Sequence, residues 1–376
     1  MAGVGPARIL VVNAGSSSLK LRVLDRSDAL VAEADLPPPA GADDAETVLE
    51  ALEPMGPVDA VGHRVVHGGT RYTEPVLVDA GVVAAIRDLS ALAPLHQPKS
   101  LAGLEAVAAA LPDVPGVACF DTAFHATIPA AAATYALPPE WRRRWAVRRY
   151  GFHGLSHAYA ARRVGELLGR EDDEQLRVVT CHLGAGASLA AVRGGRSVDT
   201  TMGFTPLEGL VMATRSGTVD PGLLLWLATH EEVPVDELSE GLERRSGLLG
   251  LAGTSDMRAV LDGAQAGQPG ARLALEVYLH RLRAGIAAMA ASLGGLEAIA
   301  FTGGVGERSP VVRALAGDGL GFLGIELDPV ANRKAAAGED DRDIGAAGAA
   351  ARAFVIPARE DIEIARGVRA ALAAHA

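Results

Sequence analysis

Cysteine and lysine are both scarce in this chain. Cysteine occurs twice in 376 residues, at Cys119 and Cys181. Each sits in an apolar run that reads as a strand, so the pair reads as small core side chains rather than as a disulfide or a metal site. Lysine occurs only as Lys20, Lys99 and Lys334, and every other basic residue apart from histidine is arginine. Beside the abundant alanine and glycine this is a compositional bias, and it singles out Lys20 as a cation of unusual type here. An excess of positive charge is missing too: the formal charge is −11 and the pI about 5.4. That balance argues against non-specific binding to nucleic acid or anionic membranes, while leaving room for a local basic site that takes a small anion. No apolar stretch approaches a membrane span without interruption by charge. The opening "MAGVGPARILVV" has no basic region ahead of its short apolar run, so no secretory leader is expected and the expected location is cytoplasmic.

What is present points to a folded α/β protein. With 49% apolar and 22% charged residues, the chain has material for a large core and length for two domains. Residues 8–13 are an apolar strand candidate, followed by a Gly-Ser turn and a returning strand over 19–24. A second strand–turn–strand begins at Arg177 in "RVVTCHLGAGASLAAV", followed by the turn "RGGR" and a short strand near Ser197. The turns "NAGSSSL" and "HLGAGASL" both leave a buried-looking strand, turn on glycine and return through Ser-Leu. They predict two related halves, each opening with a β-hairpin, rather than a simple all-parallel array. Helical spacing marks residues 156–168 and 273–293. A buried strand over 298–301 runs into a glycine turn, and residues 332–348 read as polar surface. The strand "AFVIPA" then precedes a final amphipathic helix from about Asp361.

Glycine turns at Gly15, Gly184 and Gly303 can each present several backbone N–H groups to one anion, with serine hydroxyls and Lys20 as further donors. The first turn lacks the G-x-x-x-x-G-K-[ST] of a Walker loop, and no G-x-S-x-G elbow surrounds its serines. Arg64 in "GHRVVHGG" reads either as a salt-bridged structural arginine or as a guanidinium fork for a carboxylate or phosphate. Asp121 ends an apolar strand in "ACFDTAFH", a place for a carboxylate to meet metal or substrate, or simply to cap a turn. Arg215 in "MATRSGTVDP" is a second candidate anion-binding arginine. "RYGFHGLSH" carries His153 and His157, for which the sequence offers no third metal ligand. "RRRWAVRR" reads as a solvated surface stretch.

The ordered set "NAGSSSLK", "GHRVVHGG", "PLHQP", "FDTAFH", "YGFHGLSH", "CHLGAGAS", "TPLEGLVMATRSG", "SDMR", "FTGGVGE" and "VIP" before a final helix closely resembles the acetate kinase (acetokinase) family, from about residue 10 to 365. The resemblance implies an α/β fold of two related ribonuclease-H-like domains, as in the actin, Hsp70 and sugar-kinase superfamily, with a nucleotide cleft between them. Residues 1–122 plus 359–376 would form the N-terminal domain, and 123–358 the nucleotide-binding and dimerisation domain. The implied reaction is reversible, Mg²⁺-dependent in-line phosphoryl transfer from ATP to acetate, giving acetyl phosphate and ADP. Mn²⁺ is an alternative metal, a homodimer is implied, and neither nucleic acid nor membrane is an expected partner.

Residue by residue, the resemblance implies Asn13 and Glu360 as Mg²⁺ ligands, and Lys20, Ser16 and Ser18 as contacts to ATP phosphate. Arg64 would bind the substrate carboxylate. Asp121 is the acidic residue tied to the chemistry. Because acetate is already ionised near neutral pH, Asp121 is expected to position Arg215 or Mg²⁺ rather than act as a general base. His153 and Arg215 would donate to the transferring phosphoryl group. His182, Leu183, Gly184, Ala185 and Gly186 would line the phosphates. Asp256, Met257 and Arg258 would bind ribose and adenine, with Gly304, Val305, Gly306, Glu307 and Arg308 closing the other side. Val66, Leu95, Phe152 and Pro206 match the small apolar pocket for the acetate methyl.

The chain departs from the family pattern in its nucleotide contacts. Ala185 stands where asparagine is usual, Ala213 replaces a common glycine, and Arg308 replaces a common asparagine. The usual "TNEE" reads "AREDIE", which leaves Glu360 as the metal carboxylate by alignment. An active enzyme with altered nucleotide contacts is therefore expected. A propionate or butyrate kinase is the near alternative, since one methylene is worth only about 1–3 kcal/mol of discrimination. An ATP-hydrolysing chaperone-like switch is the distant one, and it would have no use for a carboxylate clamp built from Arg64 and Arg215.

Overall fold

The computed structural model describes residues 6–15, 18–93, 96–336 and 340–375. The chain forms two compact units, the first made of Met1–Ala126, Phe152–Tyr159 and Arg359–Ala376, the second of Thr127–Gly151 and Ala160–Ala358.

Unit 1 is built on a sheet of β1 (Ile9–Ala14), β2 (Leu19–Leu24), β3 (Leu30–Leu36), β4 (Ala60–Val65), β5 (Val76–Leu77) and β6 (Gly116–Phe120), in the order β3-β2-β1-β4-β6-β5. β1, β2 and β3 form an antiparallel meander, β4 and β6 run parallel to β1, and β5 closes the edge antiparallel to β6. Side chains alternate across a strand, so β1 splits its apolar run between two cores. Leu10 and Val12 pack with Ala106 and Val107 of the helix Gln97–Ala110. Ile9 and Val11 pack with Ile364 and Val368 of the C-terminal helix Glu360–His375. Covering on both faces is why β1 reads as unbroken apolar sequence. Gly62 on β4 lets the C-terminal helix approach, because a Cβ there would overlap the side chains of Ile364 and Val368.

The expected boundary after residue 122 does not coincide with the edge of this unit, which also takes in Ala123–Ala126 and Phe152–Tyr159. The reason is local bonding: Gly154 N donates to the Asp121 carbonyl at 3.0 Å, and His125 Nε2 lies 3.1 Å from the Phe152 carbonyl oxygen.

Unit 2 repeats the plan with β7 (Arg177–Leu183), β8 (Ala187–Arg193), β9 (Arg196–Thr200), β10 (Ala298–Thr302), β11 (Arg342–Asp343) and β12 (Arg352–Val355), in the order β11-β12-β10-β7-β8-β9. Again a three-stranded meander leads, two strands follow parallel to its first, and a short antiparallel strand ends the sheet. The paired turns thus belong to two halves with one topology. The expected helices are Gly154–Leu168 and Pro269–Leu293. β3 has no counterpart in the sequence reading, and the described part of residues 332–348 holds the end of the helix Pro329–Ala335 and β11, with Asn332, Ala335 and Ile344 buried rather than at the surface. Cys119 and Cys181 are buried and unbridged.

Candidate active site

In unit 1 the carboxyl ends of β1, β4 and β6 meet the start of the C-terminal helix, bringing Asn13, Arg64, Asp121 and Glu360 together. Parallel strands delivering their carboxyl ends to one place commonly make a site in α/β sheets. Arg64 of β4 donates from Nη2 to Asp121 Oδ2 at 2.7 Å and from Nε to both Asp121 oxygens at 3.2 Å. Its Nη1 donates to Asn13 Oδ1 at 3.2 Å and lies 3.6 Å from Glu360 Oε2. Asn13 Nδ2 in turn is 3.4 Å from Glu360 Oε2. Burial works against the charge of Arg64, but the Asp121 and Glu360 carboxylates beside it outweigh that and raise its pKa. Asp121 is 1% exposed. Its carboxylate faces Arg64. The physical reason is placement: Arg64 and Cys119 are paired across β4 and β6, so the residue two beyond Cys119 comes level with the guanidinium.

Among the described residues, no three of His, Cys, Asp and Glu gather closely enough to hold a metal by themselves. The pair Asn13 and Glu360 nonetheless fits Mg²⁺, which prefers hard oxygen donors and keeps waters and substrate phosphates for most of its shell. Lys20, paired with Asn13 across β1 and β2, is exposed at the same strand end. The first turn is closed by Gly15 N donating to the Ser18 carbonyl at 2.9 Å. Ser16 and Leu95 lie outside the described residues.

Val66 is half-buried beside Arg64, and Phe152 is buried, its ring centroid 5.6 Å from that of His67. Gln97 fixes this loop: its Oε1 accepts from His67 N at 3.0 Å and its Nε2 donates to His67 O at 2.9 Å. Burial lowers the pKa of His67 to about 4, so its imidazole is neutral at neutral pH. His153 holds φ at 56°, a left-handed backbone uncommon for non-glycine residues and concentrated at functional sites.

In unit 2, a cavity of about 500 Å³ is lined by Gly184, Ala185, Asp256, Met257, Arg258, Gly304, Val305 and Arg308, with Ala213, Leu248 and Tyr278 among its other walls. The turn itself is closed by Gly184 N donating to Gly186 O at 2.9 Å. Ala185 O accepts from Ala213 N at 3.1 Å, so two of the departures from the family pattern are hydrogen-bonded neighbours. Asp256 caps the helix Met257–Gln265 through Arg258 N, and its carboxylate pairs with the Arg258 guanidinium at 2.9 Å, which lowers its pKa. His182, Leu183, Gly186, Gly306 and Glu307 do not line the cavity. Leu183 and Gly306 are buried, while Glu307 turns back to accept from Gly303 N and Ala358 N, both at 2.9 Å.

Arg215 and Pro206 also belong to unit 2. Arg215 Nη1 donates to the Pro206 carbonyl at 2.6 Å. Burial lowers the pKa of this guanidinium, partly opposed by Glu243. Among the described residues no carboxylate pairs directly with it, which leaves most of its donors for an anion. "RRRWAVRR" is only in part solvated surface: Arg149 is 17% exposed and bonds Glu208 at 2.9 Å. Gln97 in "PLHQP", Glu208 in "TPLEGLVMATRSG" and Arg149 in "RRRWAVRR" gain their supporting contacts only in the fold, because a motif does not say which side chain its polar residues will meet.

A family model described as the acetokinase family matches residues 42–366. The acetate kinase of Leifsonia xyli is 48% identical over 97% of this chain and 99% of its own length. The crystal structure of Porphyromonas gingivalis acetate kinase superposes with a TM-score of 0.88 at 34% identity, covering 97% of this chain and 100% of that one. A propionate kinase from Francisella tularensis gives 0.88 at 33% identity, over 96% and 98%.

Proposed function

The chain belongs to the acetokinase family, and from that premise we propose that it is an acetate kinase, moving the γ-phosphoryl group of ATP reversibly to acetate. The observation that carries the substrate reading is the Arg64 fork, held by Asp121 at 2.7 Å, with the half-buried Val66 two residues further along the chain and Phe152 packed against the His67 ring of the same loop. A guanidinium so fixed can exchange a donor onto a carboxylate, and the apolar side chains suit a short alkyl group.

Acetate is ionised at neutral pH, so its oxygen attacks phosphorus without a base. The new bond joins that carboxylate oxygen to the γ-phosphorus while the bond to the β-phosphate oxygen breaks, with ADP leaving. Phosphoryl transfer asks mainly for positioning and for donors aimed at developing charge. Arg64 orients the carboxylate, Asp121 holds Arg64, and His153 and Arg215 donate to the phosphoryl oxygens. Asn13 and Glu360 would hold Mg²⁺, which when bound shields phosphate charge; Mn²⁺ suits the same donors. Lys20 and Ser18 add phosphate contacts, as would Ser16. In unit 2, Gly184, Ala185, Asp256, Met257, Arg258, Gly304, Val305 and Arg308 are the nucleotide contacts, supported by the cavity they line. Val66, Phe152 and Pro206, with Leu95, would surround the methyl group.

The protein would act as a homodimer through unit 2. The helix Pro221–Thr229 supports this reading, since it buries none of its residues and leaves Leu223, Leu225 and Trp226 exposed. Two buried free thiols suit a reducing cytoplasm, and no helix among the described residues is long and apolar enough to cross a membrane.

Trapping acyl phosphate as the hydroxamate, with ATP, Mg²⁺ and acetate, propionate or butyrate in parallel, tests the assignment. Acetyl hydroxamate formed with the highest kcat/KM is expected. A higher kcat/KM for propionate would make the chain a propionate kinase, and ATP hydrolysis without acyl phosphate would reject the kinase reading.

A further inference from the structure

Arg215 is anchored at a single point. The Pro206 carbonyl, 2.6 Å from Nη1, is the one hydrogen-bond acceptor its side chain meets among the described residues. A guanidinium with five donors and one anchor takes its aim from wherever that carbonyl stands. The position of the carbonyl is itself held from both sides. Two residues beyond Pro206, Glu208 accepts from the Tyr135 hydroxyl and, at 2.9 Å, from Arg149 Nη2. Two residues before it, Phe204 N donates to the Tyr135 oxygen at 3.0 Å. Arg149 Nη1 continues the grip, donating to Thr201 O at 3.2 Å and Met202 O at 3.1 Å. The Arg149 guanidinium also covers the Tyr135 ring, 5.6 Å from its centroid. Gly203 completes the arrangement, because a Cβ there would overlap both the Glu208 carboxylate and the Tyr135 hydroxyl.

We propose that Tyr135, Glu208 and Arg149 are positioning residues for Arg215, clamping the loop on either side of Pro206 so that its carbonyl fixes where the guanidinium points. The inference rests on the reading of Arg215 as a donor to the transferring phosphoryl group. A donor serving a transition state must be held closely, and a displacement of about 1 Å costs on the order of 100-fold in rate. Tyr135 is suited to the clamp because one hydroxyl both donates to Glu208 and accepts from Phe204 N, tying together the two flanks of the proline.

The test uses Tyr135→Phe, which keeps the ring and removes the hydroxyl, and Glu208→Gln, each made in the wild-type and Arg215→Lys backgrounds. In the wild-type background kcat is expected to fall about tenfold, with both KM values within about twofold and Tm little changed. In the Arg215→Lys background the same substitutions are expected to add little, because the aim they protect is already lost. Wild-type kcat in both Tyr135→Phe and Glu208→Gln would overturn the inference, as would equal losses in the two backgrounds or a fall in Tm without a fall in kcat. Arg215→Ala, assayed alongside, separates the two levels: wild-type turnover there brings down the role of Arg215 itself. A severe loss there, beside unimpaired clamp variants, brings down only the clamp.

Discussion

Arg64 and Asp121 meet through three donor–acceptor contacts, the shortest 2.7 Å, although 57 residues separate them. Such a pair is worth most when neither partner can be removed alone. Asp121→Asn keeps the shape and deletes the countercharge, and it is expected to lower kcat/KM for acetate about 100-fold by releasing the fork. Asp121→Ala leaves a largely buried guanidinium without its main partner and should cost about 3 kcal/mol in urea unfolding. Near wild-type kcat/KM in Arg64→Ala would remove the carboxylate clamp from the mechanism.

Gly62→Ala tests how the C-terminal helix delivers Glu360. The added Cβ overlaps Ile364 and Val368, so either the helix shifts or the core strains. A destabilisation of about 1–3 kcal/mol is expected, together with a raised Mg²⁺ requirement in the steady state. An unchanged Mg²⁺ dependence in a destabilised protein would separate Glu360 from metal binding.

Stability should fall on acidification across a defined window. Burial lowers His63, His67 and His125 to about 4, with the Phe152 carbonyl partly opposing this at His125. In the unfolded chain these imidazoles protonate near 6.5, so from about pH 6.5 down to about 4 the unfolded state binds more protons and gains. Below about 4 both states are protonated and the trend levels, while above 6.5 the three contribute no slope. Each histidine can remove up to about 3 kcal/mol. His63 Nδ1 has no hydrogen-bond partner among the described residues, so His63→Met should flatten the Tm-against-pH curve. An identical slope in that variant would show that His63 is not one of the sources.

The cavity of unit 2 offers a gain-of-contact test of its proposed nucleotide role. Ala185 lines it while its carbonyl is already committed to Ala213 N, so a longer side chain at 185 can enter the cavity without disturbing that bond. Ala185→Asn is expected to lower KM for ATP severalfold, by about 1 kcal/mol for one added hydrogen bond, and to leave KM for acetate alone. A change in acetate KM with none for ATP would contradict the assignment of this cavity to the nucleotide.

How much of the site was legible varied with the kind of residue. Arg64, Asn13, Asp121 and Glu360 belong to motifs or to an alignable strand end, and the structure gathers them. The contact between Asp121 and Arg64 is not legible in sequence, because a residue type gives a carboxylate no direction. Nor does the sequence show that the Glu307 carboxylate accepts from Gly303 N and Ala358 N. Tyr135 carries no local signal, and neither "TPLEGLVMATRSG" around Glu208 nor "RRRWAVRR" around Arg149 points to a clamp, since the proposed role rests on contacts across 59 to 73 residues of chain.

The sequence by itself determined the two hairpins, the buried central strands, the glycine turns and the family, because each follows from local periodicity, turn chemistry or a run of residues in order. Tertiary structure alone decided that Asn13 and Glu360, 347 residues apart, stand 3.4 Å from each other, and that Asp121 pairs with Arg64. Those outcomes depend on strand order and on a glycine that lets one helix sit close to the sheet. Local sequence preferences do not encode which strand ends come to lie side by side.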